Sequence, residues 1–162
     1  MHKLIYHDEH EIEYESPFER AINSVVEEQE VQIICPYIGL KIFKRIVEKT
    51  NYWQLITDIE EWMLSYPSKE RENILLFIES NREKIRHCNS IHAKTIISSG
   101  KALLGSANFT ESGLFKRREL SILIEDVLAV EELKNWFQSI WHQSELPSSE
   151  EMRYPFSPPH FA

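Results

Sequence analysis

The hydrophobic positions of this chain follow two periods, and their alternation predicts a succession of helices and strands. Helical spacing of apolar residues occurs over 16–26, 40–49, 70–81 and 131–141. Short apolar or alternating runs, typical of strands, occur at 31–35, 53–57, 83–88, 91–97, 102–104 and 119–125. Strands that alternate with helices predict an α/β fold, a single domain in which a mixed β-sheet is sandwiched between helices.

Local signals mark the ends of two of these elements. Ser16 can cap a helix whose first turn holds Pro17, and Glu19 completes a capping box. Pro36 closes the apolar run 31–35, because proline has no N–H to offer a neighbouring strand.

Composition divides the chain into three parts. An acidic N-terminal segment covers residues 1–15, the α/β domain covers 16–145, and a proline-rich tail covers 146–162. The prolines of the tail favour an extended conformation over 154–161.

The chain has the composition of an ordinary soluble protein, with 42% hydrophobic and 27% charged residues among 162. We find no apolar signal-peptide core at the N-terminus and no run of the roughly 20 apolar residues that would span a bilayer. Cys35 and Cys88 are the only cysteines, and each lies in or beside an apolar run. We therefore expect two free thiols and a cytoplasmic location.

Charge is distributed unevenly along this acidic chain. The net charge is −8, which disfavours a general nucleic-acid coat protein. Residues 81–118 nevertheless hold two acids and eight bases, which are Arg82, Lys84, Arg86, Lys94, Lys101, Lys116, Arg117 and Arg118. This segment predicts a local anion site in a protein that otherwise repels polyanions.

Four polar side chains in the basic segment predict what that site binds. In a strand over 91–97, His92 and Lys94 would share one face, and burying a cation there is costly without an anionic partner. Ser106 and Asn108 follow the next strand and can offer a hydroxyl and an amide N–H to oxygen atoms. Together the four side chains predict a phosphate site that needs no metal or other cofactor.

These residues closely resemble the motifs of the phospholipase D superfamily. His92-Ala93-Lys94 is similar to its H-x-K, and Gly105-Ser106-Ala107-Asn108 is similar to its G-S-x-N. Glu119 falls where small nucleases of the superfamily carry an acid that orients the histidine. The likeness extends over 16–142, although the specific motifs lie within 90–125. The aspartate of the family motif is replaced by Ser99, which bears first on the stability of a turn.

The resemblance implies a mechanism and an assembly. One histidine attacks phosphorus to form a phosphohistidine, and a second protonates the leaving oxygen and then activates water. The chain contains one H-x-K, and single-motif members form a two-fold dimer with one site at the interface. The resemblance therefore implies a homodimer in which each copy supplies His92, while Lys94, Ser106 and Asn108 hold the phosphate and Glu119 orients the histidine.

Three functions fit these observations. The first is a metal-independent phosphodiesterase, most simply a nuclease acting on DNA or RNA, in which Lys101, Lys116, Arg117 and Arg118 contact the substrate. The second is a phospholipase or phosphatidyltransferase, which predicts an exposed apolar rim near the site. The third is a dimer without activity that binds nucleic acid or a partner protein, and the replacement of the motif aspartate by Ser99 favours it.

Overall fold

A computed structural model of the protein describes residues 1–8 and 15–148, and it shows a mixed sheet flanked by helices, as the sequence predicts. The strands of the described residues are β1 (His2–Ile5), β2 (Glu30–Ile34), β3 (Tyr52–Thr57), β4 (Ile85–His87), β5 (Thr95–Ile97), β6 (Ala102–Gly105) and β7 (Ser121–Ile124). The α-helices are α1 (Pro17–Val26), α2 (Leu40–Glu48), α3 (Ile59–Leu64), α4 (Ser68–Ser80) and α5 (Val127–Gln143). The predicted extended conformation of 154–161 lies outside the described residues.

The seven strands form one sheet in the order β1-β7-β6-β5-β2-β3-β4. β2, β3 and β4 run parallel, and the pairs from β2 through β5, β6 and β7 to β1 are antiparallel. Successive side chains point to opposite faces, so Ile96 belongs to a large core with α1 to α4, whereas Ile97 belongs to a smaller core with α5. Among residues 1–8 and 15–148, α5 is the α-helix on the second face, and it packs mainly over β2 and β5.

Local chemistry explains where several helices begin. Ser16 Oγ accepts a hydrogen bond from Glu19 N at 3.4 Å, so the predicted cap of α1 is confirmed. Asp126 caps α5 by accepting from Ala129 N at 2.8 Å, which starts that helix four residues before the predicted position 131. The prediction missed this turn because Val127 and Leu128 are exposed and do not follow the apolar face of the helix. It also missed α3, whose six residues are too few to show a period.

The N-terminal segment contributes a strand that the sequence analysis did not predict. His2–Ile5 forms the edge of the sheet, with Leu4 opposite Ile122 of β7. The predicted domain boundary at residue 15 therefore leaves out part of the sheet. Four residues beside an acid-rich stretch give too short an alternation to identify a strand, and pairing with β7 supplies the missing stabilisation.

Gly105 is required by the packing of two strands. A Cβ at this position would lie 2.3 Å from Ser121 Oγ and 2.4 Å from Leu120 O. A side chain is excluded here because β7 approaches closely to the end of β6.

Candidate active site

The predicted catalytic residues lie at one edge of the sheet, which we call the site edge. β2 and β6 end there, and β5 and β7 begin there, because Ile34 pairs with Thr95 and Gly105 pairs with Ser121. The segments that extend past these strand ends carry the polar side chains. Tertiary pairing of β6 with both β5 and β7 therefore brings the H-x-K and G-S-x-N motifs together.

His92 and Lys94 lie in the segment before β5 rather than inside a strand. The predicted strand 91–97 is shorter than expected, with only Thr95–Ile97 paired. The reason lies in the neighbouring strand: β2 ends at Ile34, and Pro36 has no N–H to continue the ladder. The side chains are consequently not held on one face of a strand, and His92 is exposed.

A direct contact joins the two motif side chains. Lys94 Nζ lies 2.9 Å from His92 Nδ1 and also donates to the His92 carbonyl oxygen at 2.9 Å. The ring of Tyr37 meets the His92 ring edge-on, with the centroids 6.3 Å apart. The Tyr37 hydroxyl donates to Glu61 at 3.0 Å, and this hydrogen bond raises the pKa of Tyr37. The site edge thus presents an imidazole, an ammonium group and an aromatic ring together.

Ser106 and Glu119 form a second pair. Ser106 Oγ donates to the Glu119 carboxylate and accepts from Leu120 N at 3.0 Å. The backbone N–H of Ser106 donates to Leu120 O at 3.0 Å, which fixes the start of β7 against the end of β6. Glu119 is therefore placed by Ser106 in this structure, and its role in orienting His92 stays a prediction.

Asn108 is held by residues that the motif does not include. Thr110 N donates to Asn108 O at 2.8 Å, and Cys35 Sγ lies 3.6 Å from Asn108 Oδ1. The next residue, Phe109, forms a parallel bridge with Ile38 and accepts from Gly39 N at 2.9 Å. The loop after β6 is thereby tied to the segment after β2. Sequence reasoning missed Cys35 because an apolar run hides a cysteine among core residues.

The basic residues predicted to contact substrate do not all reach the site edge. Lys101 precedes β6 at the opposite end of that strand, and its Nζ lies 3.4 Å from Glu125 Oε1. Lys116, Arg117 and Arg118 precede Glu119 and are exposed at the site edge. Lys116 pairs with Glu111 at 3.5 Å across solvent, a contact of little energetic weight. The structure brings the 116–118 cluster to the site edge and places Lys101 away from it.

Three further properties concern the described residues 1–8 and 15–148. They contain no group of three or more His, Cys, Asp or Glu side chains arranged to hold a metal ion. No helix formed by these residues has the length and apolar character to cross a membrane. Cys35 and Cys88 are both free thiols, as predicted.

Comparison with known families decides the membership of the chain. Residues 19–141 match the family described as cardiolipin synthase, PLD-like domain. The chain belongs to the phospholipase D superfamily. Membership and fold support phosphodiesterase-type chemistry in general, and they confirm the family that the H-x-K and G-S-x-N motifs predict.

Solved structures of phospholipase D-like proteins share the fold at low sequence identity. Nuc from Salmonella typhimurium, a phospholipase D family member, has a TM-score of 0.68 and 16% identity over 92% of this chain and 99% of that chain. NucT from Helicobacter pylori has a TM-score of 0.65 and 15% identity over 91% of this chain and 99% of that chain. Phosphatidylserine synthase of Haemophilus influenzae Rd KW20 has a TM-score of 0.58 and 13% identity over 90% of this chain and 39% of that chain. No curated protein sequence matches the chain.

Ser99, which replaces the aspartate of the phospholipase D motif, lies far from the site edge. It follows β5 at the end opposite to Lys94. Its hydroxyl donates to Gln29 Oε1 at 2.9 Å, and its carbonyl accepts from Lys134 Nζ at 3.2 Å. Five residues of extended chain span up to about 16 Å. The altered position therefore belongs to the turn before β6 and not to the site edge.

Gly113 packs against the backbone of Asn108, and replacement of Gly113 by alanine tests this contact. A Cβ at Gly113 would lie 2.3 Å from Asn108 O and 3.0 Å from Asn108 N. Gly113→Ala should displace the loop and lower the free energy of unfolding by about 1–3 kcal/mol, with a loss of phosphate binding. Urea unfolding and phosphate titration measure the two effects. Gly100→Ala is the matched control because nothing lies within 4 Å of its added Cβ, and an equal effect of both variants would contradict the prediction.

Proposed function

We propose that the protein is a phosphodiesterase that forms a covalent phosphohistidine at His92. The observation that supports this proposal is the contact of His92 Nδ1 with Lys94 Nζ at 2.9 Å. This contact lies at the site edge, where Ser106 and Asn108 also lie. An imidazole nucleophile beside a fixed cation is suited to attack on a phosphate diester, whose equatorial oxygens carry the negative charge. Membership in the phospholipase D superfamily supports the same chemistry.

The first step requires Lys94 to change partners. A lysine ammonium can only donate, so its contact with Nδ1 puts the proton of a neutral His92 ring on Nε2. Attack needs the lone pair of Nε2, which is free only when the ring proton is on Nδ1. Phosphate binding draws Lys94 to the phosphate oxygens and releases Nδ1. We assign to Glu119 the role of accepting a hydrogen bond from Nδ1–H. This hydrogen bond replaces the one that Glu119 accepts from Ser106 in the structure.

The two steps of the reaction use two histidines, one from each copy. The Nε2 lone pair of one His92 forms a bond to phosphorus while the bond to the leaving oxygen breaks. His92 of a second copy enters this step with both ring nitrogens protonated and gives its Nε2 proton to that oxygen. The second histidine next takes a proton from water, whose oxygen attacks phosphorus and breaks the P–N bond. Lys94 and the amide N–H of Asn108 stabilise the charge that develops on the other phosphate oxygens.

An open apolar surface is placed to bind the second copy. Leu104 lies opposite Ile122, which lies opposite Leu4, so these three share the face of the sheet that carries α5. α5 packs principally over β2 and β5, on the other half of that face. Leu4 and the neighbouring Leu120 are each 53% exposed. We call the set Leu4, Leu104, Leu120 and Ile122 the open face.

The open face touches the site edge, which favours a second copy as its partner. Leu104 directly precedes Gly105, and Leu120 directly follows Glu119. A two-fold interface uses the same patch on both copies, so burial of the open face would bring two site edges toward one axis. Adjoining exposed apolar side chains, rather than single scattered ones, mark an interaction surface. The pairing supplies the second histidine that a single H-x-K motif lacks.

Nucleic acid is the substrate that the charges near the site favour. Lys116, Arg117 and Arg118 are exposed beside Glu119, and a polynucleotide has further phosphates on either side of the one being cleaved. A phospholipid offers a single headgroup and an apolar tail. It therefore gives the three exposed bases no further phosphates to contact.

A cleavage assay in EDTA tests this function and separates it from the alternatives. Single- and double-stranded DNA and RNA, and vesicles of phosphatidylglycerol, are incubated with the protein with and without the chelator. We expect cleavage of a nucleic acid to continue in EDTA, because Lys94 supplies the charge that a cation would bring. Turnover of lipid alone would favour a phospholipase or phosphatidyltransferase. Nucleic-acid binding without cleavage would favour an inactive dimer, and activity that requires Mg²⁺ would contradict the mechanism.

A further inference from the structure

Cys35 lies directly beneath the site edge and takes no part in the chemistry proposed above. It follows β2, and its side chain is fully buried, with 0% of its surface exposed. Burial raises the pKa of the Cys35 thiol to about 12. The group is therefore a protonated, unreactive thiol at neutral pH, and it acts as a hydrogen-bond donor rather than as a nucleophile.

The sulfur of Cys35 joins the chain after β2 to the loop after β6, which carries the phosphate-binding Asn108. It lies 3.2 Å from Tyr37 O and 3.6 Å from Asn108 Oδ1, within the reach of an S–H donor. The backbone N–H of Phe109 donates to the same sulfur. In the chain after β2, Cys35 thus contacts Tyr37, whose ring meets His92. In the loop after β6, it contacts Asn108 of the G-S-x-N motif.

The thiol favours one orientation of the Asn108 amide. Its single proton is shared between Tyr37 O and Asn108 Oδ1, so the amide atom that faces the sulfur in this structure is the oxygen, Oδ1. The opposite atom, Nδ2, then points away from the buried sulfur with its two N–H donors available. Phosphate oxygens only accept, so a flipped amide would set a carbonyl oxygen against the substrate and an N–H against the thiol proton.

We propose that Cys35 is a positioning residue that holds the Asn108 amide with its N–H groups toward the phosphate. This inference rests on the proposed function, because it assigns to Asn108 the binding of the substrate phosphate. It gives Cys35 no covalent or redox role. Tyr37, whose carbonyl shares the thiol proton and whose ring meets His92, is held by the same contact.

Three variants test the positioning role by activity. Cys35→Ala removes the donor and should lower kcat about tenfold, the effect of losing one hydrogen bond that orients a catalytic group. Cys35→Ser keeps a donor and should restore most of that loss. Cys88→Ala removes the other free thiol, which lies in the smaller core, and should leave kcat unchanged. Urea unfolding of each variant measures stability separately from kcat.

A binding measurement keeps the test independent of catalysis. The side-chain amide of Asn108 is assigned by NMR and followed during titration with inorganic phosphate. We expect its signals to shift in the wild type and in Cys35→Ser, and to respond more weakly in Cys35→Ala. If the wild type cleaves no diester but shows this pattern, the proposed function fails and the positioning role stands. An equal response in all variants, or an equal loss of kcat in Cys35→Ser and Cys35→Ala, would overturn the positioning role.

Discussion

Replacement of His92 by alanine is expected to abolish phosphodiester cleavage and to leave the protein folded. The side chain is exposed, and its hydrogen-bond partner in the described structure is Lys94, so the core loses nothing. In the proposed dimer the substitution removes both the nucleophile and the general acid. General acid–base work alone is worth about 10²–10⁴-fold in rate. Initial rates on the preferred nucleic acid, with circular dichroism as the folding check, measure the effect.

Trapping the intermediate makes this prediction specific. Acid and alkaline quenches of wild-type protein turning over a labelled diester should leave a label that is lost in acid and kept in base. Lys94→Ala should also inactivate, whereas Glu119→Gln should cost less because it keeps the shape of the side chain. His142→Ala changes an exposed histidine of α5 and serves as the control. A stable phosphoester on Ser106, or full activity of His92→Ala, would show that the mechanism is wrong.

Leu4→Asp should separate the protein into monomers and remove most of its activity. Leu4 is 53% exposed on the open face, and its strand β1 lies two strands from β6 and three from β5. A carboxylate there would appear twice in a two-fold interface, and burying it without a partner is costly. Sedimentation should show the wild type at about twice the 19.2 kDa chain mass and the variant at the chain mass.

A leucine on the other side of the molecule provides the matched control. Leu76 of α4 is 61% exposed, and the helix packs on the opposite face of the sheet through Ile74 and Ile78. Leu76→Asp should keep both the dimer and the activity. A wild-type monomer that cleaves at micromolar concentration would refute the shared site. Loss of the dimer in Leu76→Asp but not in Leu4→Asp would show that the interface lies on the side of α4 and not on the open face.

Much of the fold follows from local information in the chain. Helical periodicity and the Ser16 cap predicted α1, and continuous apolar runs predicted β2 and β3 within one residue at each end. The predictions were weaker where an element is short. α3 and β1 hold six and four residues, and their stability comes from the neighbours they pack against rather than from a pattern of their own.

The site residues can be divided in the same way, into features that the sequence predicts and features that it does not. Residue types and spacing sufficed to predict the family, since His92, Lys94, Ser106 and Asn108 are close to one another in the sequence and form recognisable motifs. Spacing could not show that Lys101 lies at the far end of β6, or that Ser99 lies there too. Those positions depend on where each strand begins and ends, and Pro36, just after the neighbouring strand β2, shortens β5.

The sequence by itself therefore determined the fold class, the family and the chemical types of the site residues, because periodicity and motifs are properties of neighbouring positions. Only the tertiary structure decided which of those residues meet. The tertiary structure brings Lys94 into contact with His92, and Ser106 into contact with Glu119. It also brings Cys35 into contact with Asn108, which is 73 positions away in the sequence. Such contacts arise from strand register and burial, and both depend on the whole sheet rather than on any one segment.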